Sequence, residues 1–409
     1  MTLIHRRPML GAVSLAVITL VAVGCSGSSA DRGAGQTTTT QTTPTAATTQ
    51  AAPAAVITVP AAGQTALTPA TPIVVRATGG QLSTVTVSRP SENNKQVAGA
   101  LTPDNLTWTS TEDLAYGATY IVTAAAVNPA GKTTEQAFTV TTINPAKTAY
   151  ANVVPAPDVV QNTGIGVGQP MVFQFTAPVV NKAAVQNRLH VSTTPPQPGA
   201  WYWTDNQNVH YRAAQYWQPG TKIHVSADVY GLDLGNGVFG AENNAADYTV
   251  HDSWVAKAAG NTDQLTIFHN GQQVNAMSMS LGSPGHPSHE GPHVISDKQP
   301  SIIMDSCTYG LCQGQPGYYR ERVALDERIS NDGEFVHSAP WSLGQQGNSN
   351  VSHGCVNLSP TNAQWFYDHF GVGDVVDITN SGGPPLPIWD TYGDWELPWA
   401  QWQAGNTNS

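Results

Sequence analysis

Few side chains in this sequence carry charge: Asp, Glu, Lys and Arg together make up 11% of its 409 residues, against roughly 25% in ordinary soluble domains. Basic charge is scarcest, and no Lys/Arg cluster follows the first few residues. With a formal net charge of −11, the chain has no basic stripe to set against phosphates, which excludes nucleic acid as a partner. Long apolar runs are missing too. The run at 9–23 falls short of the about 20 residues that a membrane-spanning helix needs. Cysteine is rare, with four in the chain and none between residues 56 and 252, so the inter-sheet disulfide of antibody domains is excluded there.

What is present begins with an export signal. Arg6 and Arg7 precede the apolar run, which ends Ala22-Val23-Gly24-Cys25. Small residues just before a cysteine resemble the bacterial lipobox, although Ala22 stands where Leu is usual. Residues 1–25 are therefore expected to be a signal peptide, with Cys25 lipidated and the chain held to the outer face of the cytoplasmic membrane. Residues 26–55 form a Thr/Ala/Gln/Pro tract with almost no large apolar side chains. Such a segment cannot bury enough surface to offset its ordering entropy, and a disordered tether is expected.

From 56 to 250, short β-branched and aromatic runs alternate with Gly, Pro and Asn turns. An internal repeat shows through. The first copy has Trp108-Thr109, then Gly117-Ala118-Thr119-Tyr120-Ile121-Val122, and closes on Phe138-Thr139-Val140. The second has Trp203-Thr204, then Gly220-Thr221-Lys222-Ile223-His224-Val225, and closes on Tyr248-Thr249-Val250. This pattern suits two Ig-like sandwiches, at 56–148 and 149–252, acting as spacers or binding modules.

Composition changes at about Trp254. Strands are expected at 265–269, 276–281, 301–304, 334–337 and 375–378. One helix stands out, with Ser359 as cap, Pro360 in its first turn, Ala363, Phe366, Tyr367 and Phe370 at helical spacing, and Gly371 as its stop. A catalytic domain at 253–380 and a Trp-rich cap at 381–409 follow. Trp389, Trp395, Trp399 and Trp402 need burial somewhere, so the cap is expected to pack on the folded part. The fold class is mostly β and multi-domain: two Ig-like β-sandwiches, a β-rich catalytic domain with one main helix, and the cap.

The chemistry lies between His337 and Asn357. His337-Ser338-Ala339-Pro340-Trp341 leads through a Gly/Gln/Asn/Ser loop to Ser352-His353-Gly354-Cys355-Val356-Asn357. A cysteine nucleophile needs an imidazole to take its proton, backbone donors for an oxyanion, and a small neighbour that lets substrate approach. Spacing alone does not choose between His337 and His353 as the base, because alternate residues of an extended segment point to opposite faces.

This segment resembles the active-site motif of the L,D-transpeptidases of the YkuD type, a His followed after a loop by Ser/Thr-His-Gly-Cys-x-Asn. The sandwiches and cap further resemble the large mycobacterial members. The resemblance implies Cys355 as nucleophile and His337 as base, oriented by the Ser338 carbonyl. It implies an oxyanion hole from the Gly354 and Cys355 amides with Tyr319. His353 and Asn357 would shape the site, and Met304, Tyr309 and Trp341 would line the substrate groove. The implied reaction joins third-position diaminopimelate residues of peptidoglycan stem peptides with loss of D-Ala, uses no metal or organic cofactor, and is blocked covalently by β-lactams, above all carbapenems. Rival readings are an L,D-carboxypeptidase or protein-attaching transpeptidase on the same site, and a catalytically silent wall-binding adhesin.

Two further features remain. His289-Glu290-Gly291-Pro292-His293 fits the zinc-protease pattern His-Glu-x-x-His, which works only on a helix. Gly291 and Pro292 oppose a helix there by about 1 and 3 kcal/mol, so no catalytic metal is expected. Cys307 and Cys312, separated by four residues in an exported protein, are expected to form a disulfide in the hairpin over the site.

Overall fold

The computed structural model describes residues 52–63, 67–310, 312–316 and 318–407. The expected signal, Cys25 with its lipid, and the tether as far as residue 51 lie outside the described residues. Residues 52–55, expected to belong to the tether, instead pack on the first sandwich. Ala55 is buried, and the Asn128 side-chain amide donates to the Pro53 carbonyl at 2.9 Å.

The first sandwich is two four-stranded antiparallel sheets. One orders Val56–Thr58, Val74–Thr78, Thr107–Ser110 and Gly99–Leu101; the other orders Lys95–Gln96, Gln81–Arg89, Thr119–Val127 and Thr133–Thr141. Alternation along Thr119–Val127 sends Tyr120, Val122, Ala124 and Ala126 inward onto Trp108 and Val140. The second copy repeats the plan. Ala151–Val154, Met171–Phe175, Asn208–Ala213 and Gly199–Trp203 form one sheet, and Leu189–Thr194, Lys222–Ala227 and Asn244–Thr249 the other. Trp203, Trp217, Phe173 and Phe175 fill the shared core. The strand Lys147–Ala149, at the expected junction, pairs with Val238–Gly240 of this second unit. Between the sandwiches, the Tyr116 hydroxyl donates to the Gly240 carbonyl and the Tyr230 hydroxyl to the Leu114 carbonyl, at 2.7 and 2.9 Å.

The third unit is a nine-stranded mixed sheet in the order Gly291–Val294, Val375–Thr379, Trp254–Ala259, Gln264–His269, Gln272–Ser280, Val356–Leu358, Phe335–Ser338, Arg320–Arg328 and Asp297–Asp305. The predicted helix spans Pro360–His369. Ser359 caps it by accepting from the Asn362 N–H at 3.2 Å, and its Ala363 and Phe366 join the core.

The cap packs as expected with one exception. Trp402 is fully buried, its indole N–H donating to the Ala200 carbonyl at 2.8 Å, and Trp395 donates to the Gly168 carbonyl at 2.8 Å. Together with Trp399 they surround the buried Arg212 guanidinium at 4.7 to 5.5 Å from their ring centres. The expectation for Trp389 is corrected: it is 66% exposed.

Candidate active site

Two short parallel strands build the site. Phe335–Ser338 pairs with Val356–Leu358 in the register Val336 to Val356 and His337 to Asn357. Val336, Val356 and Leu358 point into the core. Alternation therefore turns His337, Cys355 and Asn357 to the opposite face, where they line one cleft of about 360 Å³ with Met304, Tyr319, Trp341 and His353. Glu321, Val323, Val351 and Ser352 complete the lining. Sequence reading missed them as groove residues, although strand alternation along Arg320–Arg328 was a usable signal for the first two.

His337 is 3% exposed. Its Nδ1 lies 3.0 Å from the Ser338 carbonyl, which accepts the proton from that nitrogen, leaving Nε2 unprotonated in the neutral ring. Burial pulls the imidazole down to about 4, against the opposing pull of the Ser338 carbonyl. Burial pushes the Cys355 thiol up to about 12, with the Glu334 and Asp326 carboxylates adding to the rise. Both groups are therefore neutral at rest. The thiol donates to the Gly333 carbonyl at 3.7 Å, a weak bond.

The turn that presents Cys355 is fixed by hydroxyls. Ser352 Oγ accepts from the Gly354 N–H at 3.1 Å and donates to the Cys355 carbonyl at 2.7 Å. Ser288 Oγ donates to the Gly354 carbonyl at 2.5 Å. Without substrate, the Gly354 amide expected to serve as an oxyanion donor is held by Ser352 Oγ. Glycine is required for shape. Its φ is +123°, and an added Cβ would stand 3.1 Å from Glu334 Oε1. The Asn357 amide donates to Ser342 Oγ at 3.2 Å, and Gln346 ties the same loop to the Ala339 carbonyl at 3.0 Å. His353 packs between His286 and Tyr319, with ring centres 4.8 and 5.3 Å away.

The His-Glu-x-x-His segment runs into the strand Gly291–Val294 and forms no helix, and both of its imidazoles face Glu334. Among the described residues, no group of three or more His, Cys, Asp or Glu is placed to hold a metal ion.

Cys307 and Cys312 are bonded to each other, just after the strand that carries Met304. The side chain of Tyr309, within this loop, lies outside what the structure describes. Alkylation under denaturing, non-reducing conditions is expected to label Cys355 and neither lid cysteine; label on Cys307 and Cys312 in the exported protein would refute the bridge.

Residues 254–378 match the L,D-transpeptidase catalytic domain, and residues 64–233 match a bacterial Ig domain. L,D-transpeptidase 2 of Mycobacterium tuberculosis is 41% identical over 338 residues, covering 83% of this chain and 81% of the relative. L,D-transpeptidase 5 of the same organism is 32% identical, covering 81% and 72%. A solved L,D-transpeptidase in complex with imipenem is 31% identical over 57% of this chain and 100% of its own, with a TM-score of 0.49. A relative aligned along four-fifths of its length, and a catalytic-domain match bracketing the cleft, place this chain in the L,D-transpeptidase family of peptidoglycan-modifying enzymes.

Proposed function

We propose that the chain cross-links peptidoglycan stem peptides through an acyl-enzyme on Cys355. The observation that carries this reading is the His337–Ser338 hydrogen bond, which leaves Nε2 unprotonated on a residue that lines the same cleft as Cys355. In the first half-reaction, Nε2 takes the thiol proton as Sγ attacks the carbonyl joining the third-position diaminopimelate of a tetrapeptide donor to its D-Ala. The Cys355 N–H and the Tyr319 hydroxyl face the developing oxyanion. The C–N bond breaks, His337 returns the proton to the departing amine, D-Ala leaves, and a thioester remains. In the second half-reaction, the side-chain amine of an acceptor diaminopimelate attacks the thioester. Its proton passes through His337 to the thiolate released as the C–S bond breaks. A neutral thiol beside a neutral imidazole fits a nucleophile made only as substrate fills the cleft and displaces the bond to Gly333.

Anchored through Cys25 outside the cytoplasmic membrane, the enzyme would meet its substrate in the wall. The test is incubation with disaccharide-tetrapeptide. The expected product is a dimer with the mass of two donors less one D-Ala; hydrolysed tripeptide alone would make the enzyme a carboxypeptidase.

A strained lactam is a second acyl donor for the same thiol. A carbapenem is expected to add its whole mass to the protein by ring opening, on the peptide containing Cys355. An adduct mapped elsewhere, or none, counts against the assignment.

A further inference from the structure

Glu334 is buried, directly precedes the strand carrying His337, and takes no part in the reaction as written. We propose that Glu334, gripped by His289 and His293, is a positioning residue that props the Gly354–Cys355 turn from behind and makes ionisation of the thiol depend on the protons these three side chains share. This rests on the reading of Cys355 as nucleophile.

The prop is steric and electrostatic. The Glu334 carboxylate packs against Gly354, 3.1 Å from where a Cβ would stand, and Ser288, next to His289, holds the carbonyl of the same glycine. Glu334 Oε1 accepts from the His289 N–H at 2.9 Å and stands 3.2 Å from its Nδ1. Oε2 stands 3.2 Å from His293 Nε2. The other nitrogen of His293 faces the Gly291 carbonyl at 2.9 Å. Both His293 nitrogens thus meet acceptors, so the pair is satisfied only when it holds one proton more than a neutral ring beside a carboxylate would have.

Other charges surround the cluster. Asp332 and Asp390 face His289, while Glu396 from the cap and Asp377 from the neighbouring strand face His293. Asp326 and Arg328 face the thiol from the adjoining strand. Burial favours a neutral Glu334, but the hydrogen bonds from His289 and His293 outweigh it and hold the carboxyl below its usual range. The Glu334 hydrogen bond in turn holds His289 above its own range. The sign follows. Each proton on the imidazoles shields Glu334 and eases loss of the thiol proton; each proton lost leaves a bare carboxylate beside Cys355 and opposes it.

The test is the rate of iodoacetamide alkylation of the full chain at the Cys355 peptide across about pH 7–11, the rising limb below a midpoint of about 12, with each midpoint taken from the displacement of that limb. Glu334→Gln is expected to move the midpoint to lower pH by about one unit, and His289→Gln to move it upward. Should Glu334→Gln not fold, His289→Gln, whose side chain is 17% exposed, carries the test alone. Midpoints that coincide with the parent in folded variants overturn the proposal and leave the nucleophile assignment standing. Midpoints that move while Cys355→Ala still cross-links support the cluster's hold on the thiol and remove the assigned reaction.

Discussion

Cys355→Ala is expected to abolish dimer formation and carbapenem labelling together, with thermal unfolding within about 3 °C of the parent. The loss should exceed about 10⁴-fold, because the thioester route ends when its nucleophile is removed. No neighbour can take over. The neighbouring hydroxyl of Ser352 is committed to the Gly354 N–H and the Cys355 carbonyl, and moving it would unfasten the turn. Stability should hardly change, since the thiol contributes only a 3.7 Å bond to the Gly333 carbonyl and sulfur-to-carbonyl bonds are weak. Removing a thiol that faces Glu334 and Asp326 costs no favourable charge contact. Dimers formed by a folded Cys355→Ala protein would end the mechanism.

How far the sequence foretold this site can be traced residue by residue. The helix at Pro360–His369 was legible because its cap, first-turn proline, apolar spacing and glycine stop all agree. The sandwich cores were legible from period-two alternation, which put Trp108, Tyr120 and Val140 inside. The pairing of His337 with Cys355 was not legible from spacing. It depends on two strands lying parallel in the register Val336 to Val356, a long-range fact that only the family resemblance anticipated. The Ser352 Oγ that accepts from the Gly354 amide was not legible either, because this contact exists only once the turn is built. Glu334 escaped notice for a similar reason: its partners lie 41 and 45 residues away in the chain, beyond any local pattern. The His-Glu-x-x-His spacing was rightly denied a helix, yet its two histidines do converge, on the Glu334 carboxylate.

Deleting the cap after residue 392 is expected to destabilise the protein by several kcal/mol and to slow carbapenem acylation, whereas deleting the first sandwich should do neither to a comparable degree. The cap is part of two cores at once. Trp402 is fully buried against the second sandwich, stacked on Tyr202 at 4.9 Å, and losing one such side chain costs about 3–5 kcal/mol. Arg212 would lose two of its carbonyl acceptors, Asp394 and Leu397, keeping only Ala213, and would lose the three indoles around it. His210 would lose the Asp394 carboxylate at 2.9 Å. On the catalytic side, the turn Gly393–Glu396 covers the strand Gly291–Val294, with the Glu396 carboxylate laid over Gly291. Removing it would open His293 to water, and His293 holds Glu334 behind the Gly354–Cys355 turn. The first sandwich has no such reach. Its tyrosine bonds lead to Gly240 and Tyr230 of the second sandwich, and the catalytic cleft takes no residue from it. A deletion of residues 52–145 spares the strand Lys147–Ala149, which the second sandwich needs, and should leave reaction with soluble donors near the parent rate while reducing activity in cells, where reach matters. Thermal unfolding and acylation rates on the two truncations decide the matter: equal losses from both, or an unchanged unfolding temperature without the cap, would show that the cap is not the element joining the second sandwich to the site.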